Sequence, residues 1–214
     1  MNRITSIIFD LDGTLYRSAE LAADIHARAT EGLALQLGIN KDEAETRLSA
    51  AKAGLSAKTG CEATLSAACE LLGGDIKALH CYLAEHINPE KYLVRDDRVV
   101  EMLKRLSKEY GLYIYTNNNR SLADRIMRAI GIDGLFTGVF SVEDFWRAKP
   151  DRLALAKIYA AIGAEPVECL FAGDRYDVDL RLPEEHGSRI FLTQTIDELL
   201  SLEKSCRKGE WIND

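Results

Sequence analysis

Nine residues near the start, Ile7-Ile8-Phe9-Asp10-Leu11-Asp12-Gly13-Thr14-Leu15, restrict the fold more than any other part of the chain. An apolar, β-prone run ends abruptly in two aspartates, and a glycine-threonine turn follows at once. The pattern reads as a buried strand that delivers carboxylates to the carboxyl edge of a sheet, where open α/β sheets place their ligands. Asp10 and Asp12 are two apart, so an ideal strand would send both to one face. Gly13 lets the departing turn bend sharply enough to bring both into one site. Two acids held there can bind a divalent cation or divide nucleophile and acid/base roles. The plain alternative is a strand followed by a polar turn that contains aspartate.

With 214 residues, the chain can form one large domain or a core with a smaller insertion. A net charge of −7 argues against a nucleic-acid polymer or an anionic membrane as the main partner. It leaves room for small phosphorylated substrates, because local cations and a metal reverse the sign inside a cleft. The five cysteines (Cys61, Cys69, Cys81, Cys169 and Cys206) show no CxxC and no zinc-ligand spacing. They read as reduced thiols. No apolar run approaches the ~20 residues of a membrane span. The expectation is a cytoplasmic protein, monomer or homodimer.

From Tyr16 to Asn88 every periodic signal is helical. Leu21, Ile25, Ala29, Leu33 and Leu37 make a stripe on a first helix from Glu20, ended by Gly38. Asn40 to Glu43 resembles a capping box and opens a helix to about Ala53. Gly54 and Gly60 bracket an expected loop, Cys61 to Leu72 reads as a third helix, and Asp75 caps a fourth that ends near Ile87. A block of this length between two strands has the form of an inserted cap. The predicted division is residues 17–95 for the cap, with 1–16 and 96–214 forming the core.

Beyond the block, strand and helix alternate. A helix over Asp97–Tyr110 precedes a strand Leu112–Tyr115, and Ser121 is expected to cap a helix to about Ile130. Further strands are expected at Val139–Ser141, Cys169–Ala172 and Arg189–Leu192, with helices at Asp151–Ile162 and Thr195–Leu202. From Lys204 the tail is polar and aperiodic apart from Trp211 and Ile212. Such alternation specifies an α/β fold, a Rossmann-like parallel sheet with right-handed crossovers.

In a parallel sheet the strand ends share one edge. That edge would gather Asp10 and Asp12, then Thr116 and Asn117, then Asp174 with Asp177 and Asp179, while Lys149 starts the helix before the fourth strand. Each alone is an ordinary turn or surface residue. Together they supply acids for Mg²⁺, a hydroxyl, amides and an ammonium for phosphate oxygens, and a carboxylate able to attack phosphorus.

These residues resemble the haloacid dehalogenase-like hydrolase superfamily, in the subgroup with a helical cap inserted after the first motif. Asp10-Leu11-Asp12-Gly13-Thr14 is similar to its motif I, Thr116-Asn117 to motif II, Lys149-Pro150 to motif III, and Gly173-Asp174 through Asp179 to motif IV. The resemblance implies Asp10 as nucleophile and Asp12 as general acid, then base. It implies Mg²⁺ bound by Asp10, Asp174 and Asp179 with the Asp12 main-chain carbonyl, and Thr116, Asn117 and Lys149 around the phosphoryl group. Asp179 is chosen as the second motif IV acid because the family places it four or five residues after the first, and four on is Val178. Members that cleave carbon–halogen bonds lack an acid two after the nucleophile, so Asp12 implies phosphate-ester chemistry. One departure stands out: Leu180 to Gly187 carries Pro183, where such proteins usually continue with a small-residue helix.

The implied activity is a Mg²⁺-dependent phosphatase for a small phosphorylated metabolite. The options are a sugar phosphate or a nucleoside monophosphate, the latter from similarity to the pyrimidine 5′-nucleotidase-like branch. A phosphomutase of the β-phosphoglucomutase type shares all four motifs, and a non-catalytic binding protein on the same fold is the third reading. In the cap, Arg17, Arg47, Lys52, Lys58 and Thr59 are candidate substrate contacts, with Lys52–Ser56 as the expected specificity loop.

Overall fold

A computed structural model describes residues 3–208. Five strands form one parallel sheet: β1 (Ser6–Phe9), β2 (Gly111–Tyr115), β3 (Gly138–Phe140), β4 (Cys169–Gly173) and β5 (Arg189–Leu192), in the order β3-β2-β1-β4-β5. The first strand is central and buried along its whole length. Ile7 and Phe9 enter one hydrophobic cluster and Ile8 the other, which is why a strand covered on both faces reads as an unbroken apolar run. Phe9 pairs in register with Ile114 on one side and Ala172 on the other. Three strand ends are therefore level, and the residues just beyond them meet.

Between β1 and β2 lie α1 (Ala19–Leu37), α2 (Lys41–Thr59), α3 (Leu65–Leu71) and α4 (Ile76–His86), followed by a 3₁₀ turn at Pro89–Lys91 and then α5 (Asp97–Leu106). α1 packs against α2 and α4, and α2 against α3, and Leu21, Ala29 and Leu33 of the apolar stripe of α1 are buried. Ser18 caps α1 by accepting from the Leu21 amide, and Asn40 caps α2 by accepting from that of Glu43. α2 runs straight through the loop expected between Gly54 and Gly60. Gly54 lowers helix propensity without ending a helix whose neighbours are good helix formers, whereas Gly60, at φ 70°, is the true stop. The third helix, expected from Cys61, starts only at Leu65, where the Thr64 side chain caps it.

The remaining helices are α6 (Arg120–Ala129), α7 (Val142–Phe145), α8 (Arg152–Ile162), α9 (Arg181–Glu185), α10 (Ile196–Leu200) and α11 (Leu202–Lys208). The cap of α6 is Asn119 rather than Ser121: its Oδ1 accepts from Leu122 N at 2.8 Å, while its Nδ2 donates to the His80 carbonyl of α4 at 3.1 Å. One buried amide thus starts a core helix and ties it to the helical block. α5 is also shorter than expected, with 107–110 forming turns. The stretch from Leu202 to Lys208 is helical rather than aperiodic, and Trp211 and Ile212 lie outside the described residues. No helix among the described residues is long and apolar enough to cross a membrane.

Gly54 is exposed, sits inside α2, and has nothing within 4 Å of where a Cβ would stand. Gly54→Ala should therefore stabilise the protein by about 0.5–1 kcal/mol, read as a higher midpoint in urea at unchanged slope.

Candidate active site at the carboxyl edge of the sheet

Asp10 follows the last residue of β1 and is held at the sheet edge by its amide, which donates to Ala172 O at 2.8 Å. The chain then folds back on itself: Gly13 N donates to Tyr16 O at 3.0 Å, and Asp12 and Tyr16 form an isolated β-bridge. Gly13 has φ +87°, and a Cβ there would stand 2.3 Å from Asp174 Oδ2. Glycine is required twice over, by the backbone conformation and by the close approach of the motif IV acid. Gly173 plays the same part at the end of β4, where a Cβ would lie 2.6 Å from that of Asp179.

Lys149 Nζ lies 2.5 Å from Asp10 Oδ1, 2.7 Å from Asp179 Oδ1 and 2.9 Å from Tyr115 O. Both ion-pair partners and the lysine are almost wholly buried. Burial alone would discharge the lysine, but Asp10 and Asp179 outweigh it and hold Lys149 above its ordinary value. Asp10 goes the other way. Burial, only partly opposed by Lys149, pushes its carboxyl up to about 7, and the charges of Asp179 and Asp12 add to the rise. Asp174 is also raised, by burial and then by Asp179.

The carboxylates of Asp10, Asp174 and Asp179 each bring an oxygen within 4.8 Å of the others. Asp174 Oδ1 is buried without a hydrogen-bond partner. An all-carboxylate set with a spare buried oxygen and too few cations suits a hard divalent ion such as Mg²⁺. Asp179 reaches the cluster because Tyr176–Leu180 forms a π-helical turn, and its Oδ2 accepts from Arg175 N at 3.1 Å. Asp177 stands outside the cluster, half-exposed, 3.4 Å from Arg181. Pro183, the departure noted in the sequence, lies in the first turn of α9, where a missing N–H costs little.

Asp12 is tied by three donors. The Tyr16 hydroxyl donates to Oδ1; Thr116 Oγ1, at 3.3 Å, and Asn118 Nδ2, at 2.7 Å, donate to Oδ2. Burial and then the Asp12 charge hold the Tyr16 phenol well above its ordinary value, so it remains a donor. Thr116 is fully buried, and Asn117 accepts from Lys149 N at 2.7 Å while its Nδ2 is buried without a partner. Sequence reasoning singled out neither Tyr16, Asn118 nor Arg175. Tyr16 stood at the start of the segment leading to the helical block, Asn118 in a solvated loop, and Arg175 within motif IV without a role of its own.

Above these groups a cavity of about 630 Å³ opens between the sheet edge and the helical block. Its floor includes Asp12, Asn117, Asn118, Asp174 and Arg175, and its walls include Ile25, Leu65, Leu79 and Leu83. Two of the five cap candidates, Arg17 and Lys52, line it. Arg47 instead pairs with Glu43 along α2 at 2.5 Å, the Thr59 hydroxyl donates to Leu55 O at 2.8 Å, and Lys58 is an exposed helix residue outside the lining. Residues 52–56, expected in a loop, are helical, so Lys52 is presented from a rigid element. His80, held at about 4 by burial, is neutral and shares a 2.9 Å hydrogen bond with Ser66 on the cavity wall.

The family model of the haloacid dehalogenase-like hydrolases matches residues 4–187. Among solved structures, the chain is similar to a HAD phosphatase from Thermococcus onnurineus (TM-score 0.64, 23% identity, 98% of this chain and 100% of that one). It is also similar to a 2-haloacid dehalogenase from Pseudomonas syringae pv. Tomato DC3000 (TM-score 0.62, 19% identity, 97% and 100%). A third, the HAD-hydrolase YfnB of Bacillus subtilis, was solved bound to magnesium (TM-score 0.59, 18% identity, 95% and 100%). At these identities the likeness is one of fold.

Because the Asp10 carboxyl sits above its ordinary 3.8, this one group holds more proton in the folded metal-free protein than in the unfolded chain between about pH 4 and 7. That contribution to stability is present at low pH and is lost as pH rises through the window. A divalent ion must displace those protons, so its grip tightens with pH. Added MgCl₂ should raise the melting temperature more at pH 8 than at pH 5.5, and Asp174→Asn should abolish the rise at both.

Proposed function

The chain belongs to the haloacid dehalogenase-like hydrolases, and on that premise we propose that it is a Mg²⁺-dependent phosphatase of a small phosphorylated metabolite, a nucleoside monophosphate or a sugar phosphate. The observation that carries this reading is Asp12. A second carboxylate, two residues after the buried Asp10 and lining the cavity, is the group needed to protonate an alkoxide, whereas a halide leaves without a proton.

In this reading Asp10 attacks phosphorus. As the new P–O bond forms, the bond to the leaving oxygen breaks, and that oxygen takes its proton from Asp12. Asp12, now a carboxylate, accepts a proton from water. The water oxygen bonds to phosphorus, and the bond to Asp10 breaks, restoring both carboxyl groups to their starting state. The unpartnered Asn117 Nδ2 would hold a phosphoryl oxygen, Thr116 keeps its one hydroxyl proton on Asp12 Oδ2, and Lys149 would face the phosphoryl group from beside Asp10. Asp10, Asp174 and Asp179, with the Asp12 main-chain carbonyl, would hold Mg²⁺, which when bound neutralises the crowded acids and polarises the phosphoryl group. The magnesium found with YfnB and the phosphatase from Thermococcus onnurineus support this choice of metal and reaction.

Residues 17–95 would act as the cap and 1–16 with 96–214 as the catalytic core. The five cysteines are all free, which suits a reducing, cytoplasmic setting for a monomer or homodimer.

The test is phosphate release from nucleoside monophosphates, sugar phosphates and 4-nitrophenyl phosphate, with Mg²⁺ and with chelator. Turnover should require the metal and fall by on the order of 10⁴-fold or more in Asp10→Asn. Phosphate release without any sugar bisphosphate separates the phosphatase from a mutase; no turnover with any ester would overturn the reading and favour a binding protein.

A further inference from the structure

A carboxylate offers about four acceptor positions, two on each oxygen. On Asp12 three of them are filled from within the protein. Both positions on Oδ2 are taken, by Thr116 Oγ1 at 3.3 Å and Asn118 Nδ2 at 2.7 Å, and one on Oδ1 is taken by the Tyr16 hydroxyl. The single acceptor position left is on Oδ1.

The two outer donors are themselves fixed. Tyr16 is 8% exposed, and its backbone is pinned to Asp12 by the β-bridge and by the bond from Gly13 N to Tyr16 O at 3.0 Å. Asn118 comes from the end of a different strand, and its amide donates to Thr116 Oγ1 at 3.1 Å. All three residues, Asp12, Tyr16 and Asn118, border the cavity that would receive the leaving group.

We infer that Tyr16 and Asn118 are positioning residues for Asp12: they clamp its carboxyl group from opposite sides and leave one lone pair, on Oδ1, to carry the proton exchanged with the leaving oxygen and then with water. This inference rests on the proposed phosphatase reaction. Its chemistry is the proton transfer already balanced above, now assigned to one oxygen. Without the clamp, the Asp12 carboxyl rotates among orientations of which few reach the leaving oxygen. The cost falls on esters whose leaving oxygen needs a proton and spares those whose leaving group departs unaided.

The experiment compares benzyl phosphate, a poor leaving group, with 4-nitrophenyl phosphate, a good one of similar shape, in the full chain with Mg²⁺. The quantity read is kcat/KM, which reports the step that expels the leaving group. Tyr16→Phe keeps the ring and removes the donor, and it should lower kcat/KM on benzyl phosphate by about tenfold or more while the 4-nitrophenyl ester loses less than about threefold. Asn118→Ala should split the two esters in the same sense, and Asp12→Asn sets the upper limit of the split. A thermal melt checks that each variant folds; if Tyr16→Phe melts more than about 5 °C low, Asn118→Ala decides. Equal losses on both esters, or no loss on either, overturn the clamp while leaving the phosphatase reading intact. Wild-type protein that cleaves neither ester overturns both.

Discussion

One ammonium, that of Lys149, is shared between Asp10 at 2.5 Å and Asp179 at 2.7 Å in a place that solvent barely reaches. Three acids meet where β1 and β4 end, and this lysine is the cation buried among them. Its third neighbour is the carbonyl of Tyr115, at the end of β2, so the same ammonium links three adjacent strands at their carboxyl ends. A buried charge pair of this kind is a weak source of stability but a strong one of position, because moving any partner strands the others without water. The arrangement also stays short of positive charge. Asp10 near 7 and Asp174 raised are the two signs of that shortage, and a divalent cation is the natural remedy.

Crowding of this kind demands a backbone that comes unusually close. Gly13 and Gly173 lie where a Cβ would overlap Asp174 and Asp179 respectively, so each glycine makes room for an acid presented from the other side of the site or from further along the chain. The π-helical turn at Tyr176–Leu180 answers the same demand. A wider turn carries Asp179 back under Gly173, and Val178 and Leu180 go into the interior on either side of it. The glycines, the turn and the lysine are separate features of the sequence, but each has a place only because the acids are so close together.

The sheet and the main helices were legible because their signals are local: an apolar run for β1, a stripe with a four-residue period for α1, and a capping asparagine at Asn40. The misplaced boundaries came from rules that neighbours overrule. Gly54 reads as a breaker but costs a long helix only a little propensity, and the cap expected at Ser121 falls two residues earlier, on Asn119, which accepts from the Leu122 amide and is held in place by a second bond to His80. At the site, the acids, Thr116 and Lys149 were legible through their ordered motifs. Tyr16 and Asn118 were not, since a tyrosine after a turn and an asparagine in an Asn-rich loop carry no spacing signal. Only the folded chain brings residue 118 back to residue 12.

The cavity shows why the motifs identify a reaction more readily than a substrate. The stripe Leu21, Ile25, Ala29, Leu33 on α1 has one period, and in sequence its members are equivalent. In the fold, Leu21, Ala29 and Leu33 are buried within the helical block, while Ile25 faces the cavity beside Leu79 and Leu83. Periodicity reports that a helix face is covered, and it does not distinguish cover by protein from cover by ligand. The same holds for charge: Arg47 and Lys52 are five residues apart on one helix, yet one pairs along the surface with Glu43 and the other reaches the cavity. What lines the cavity is therefore fixed by how the helical block rests on the sheet edge, which involves contacts such as Asn119 to His80 rather than any motif.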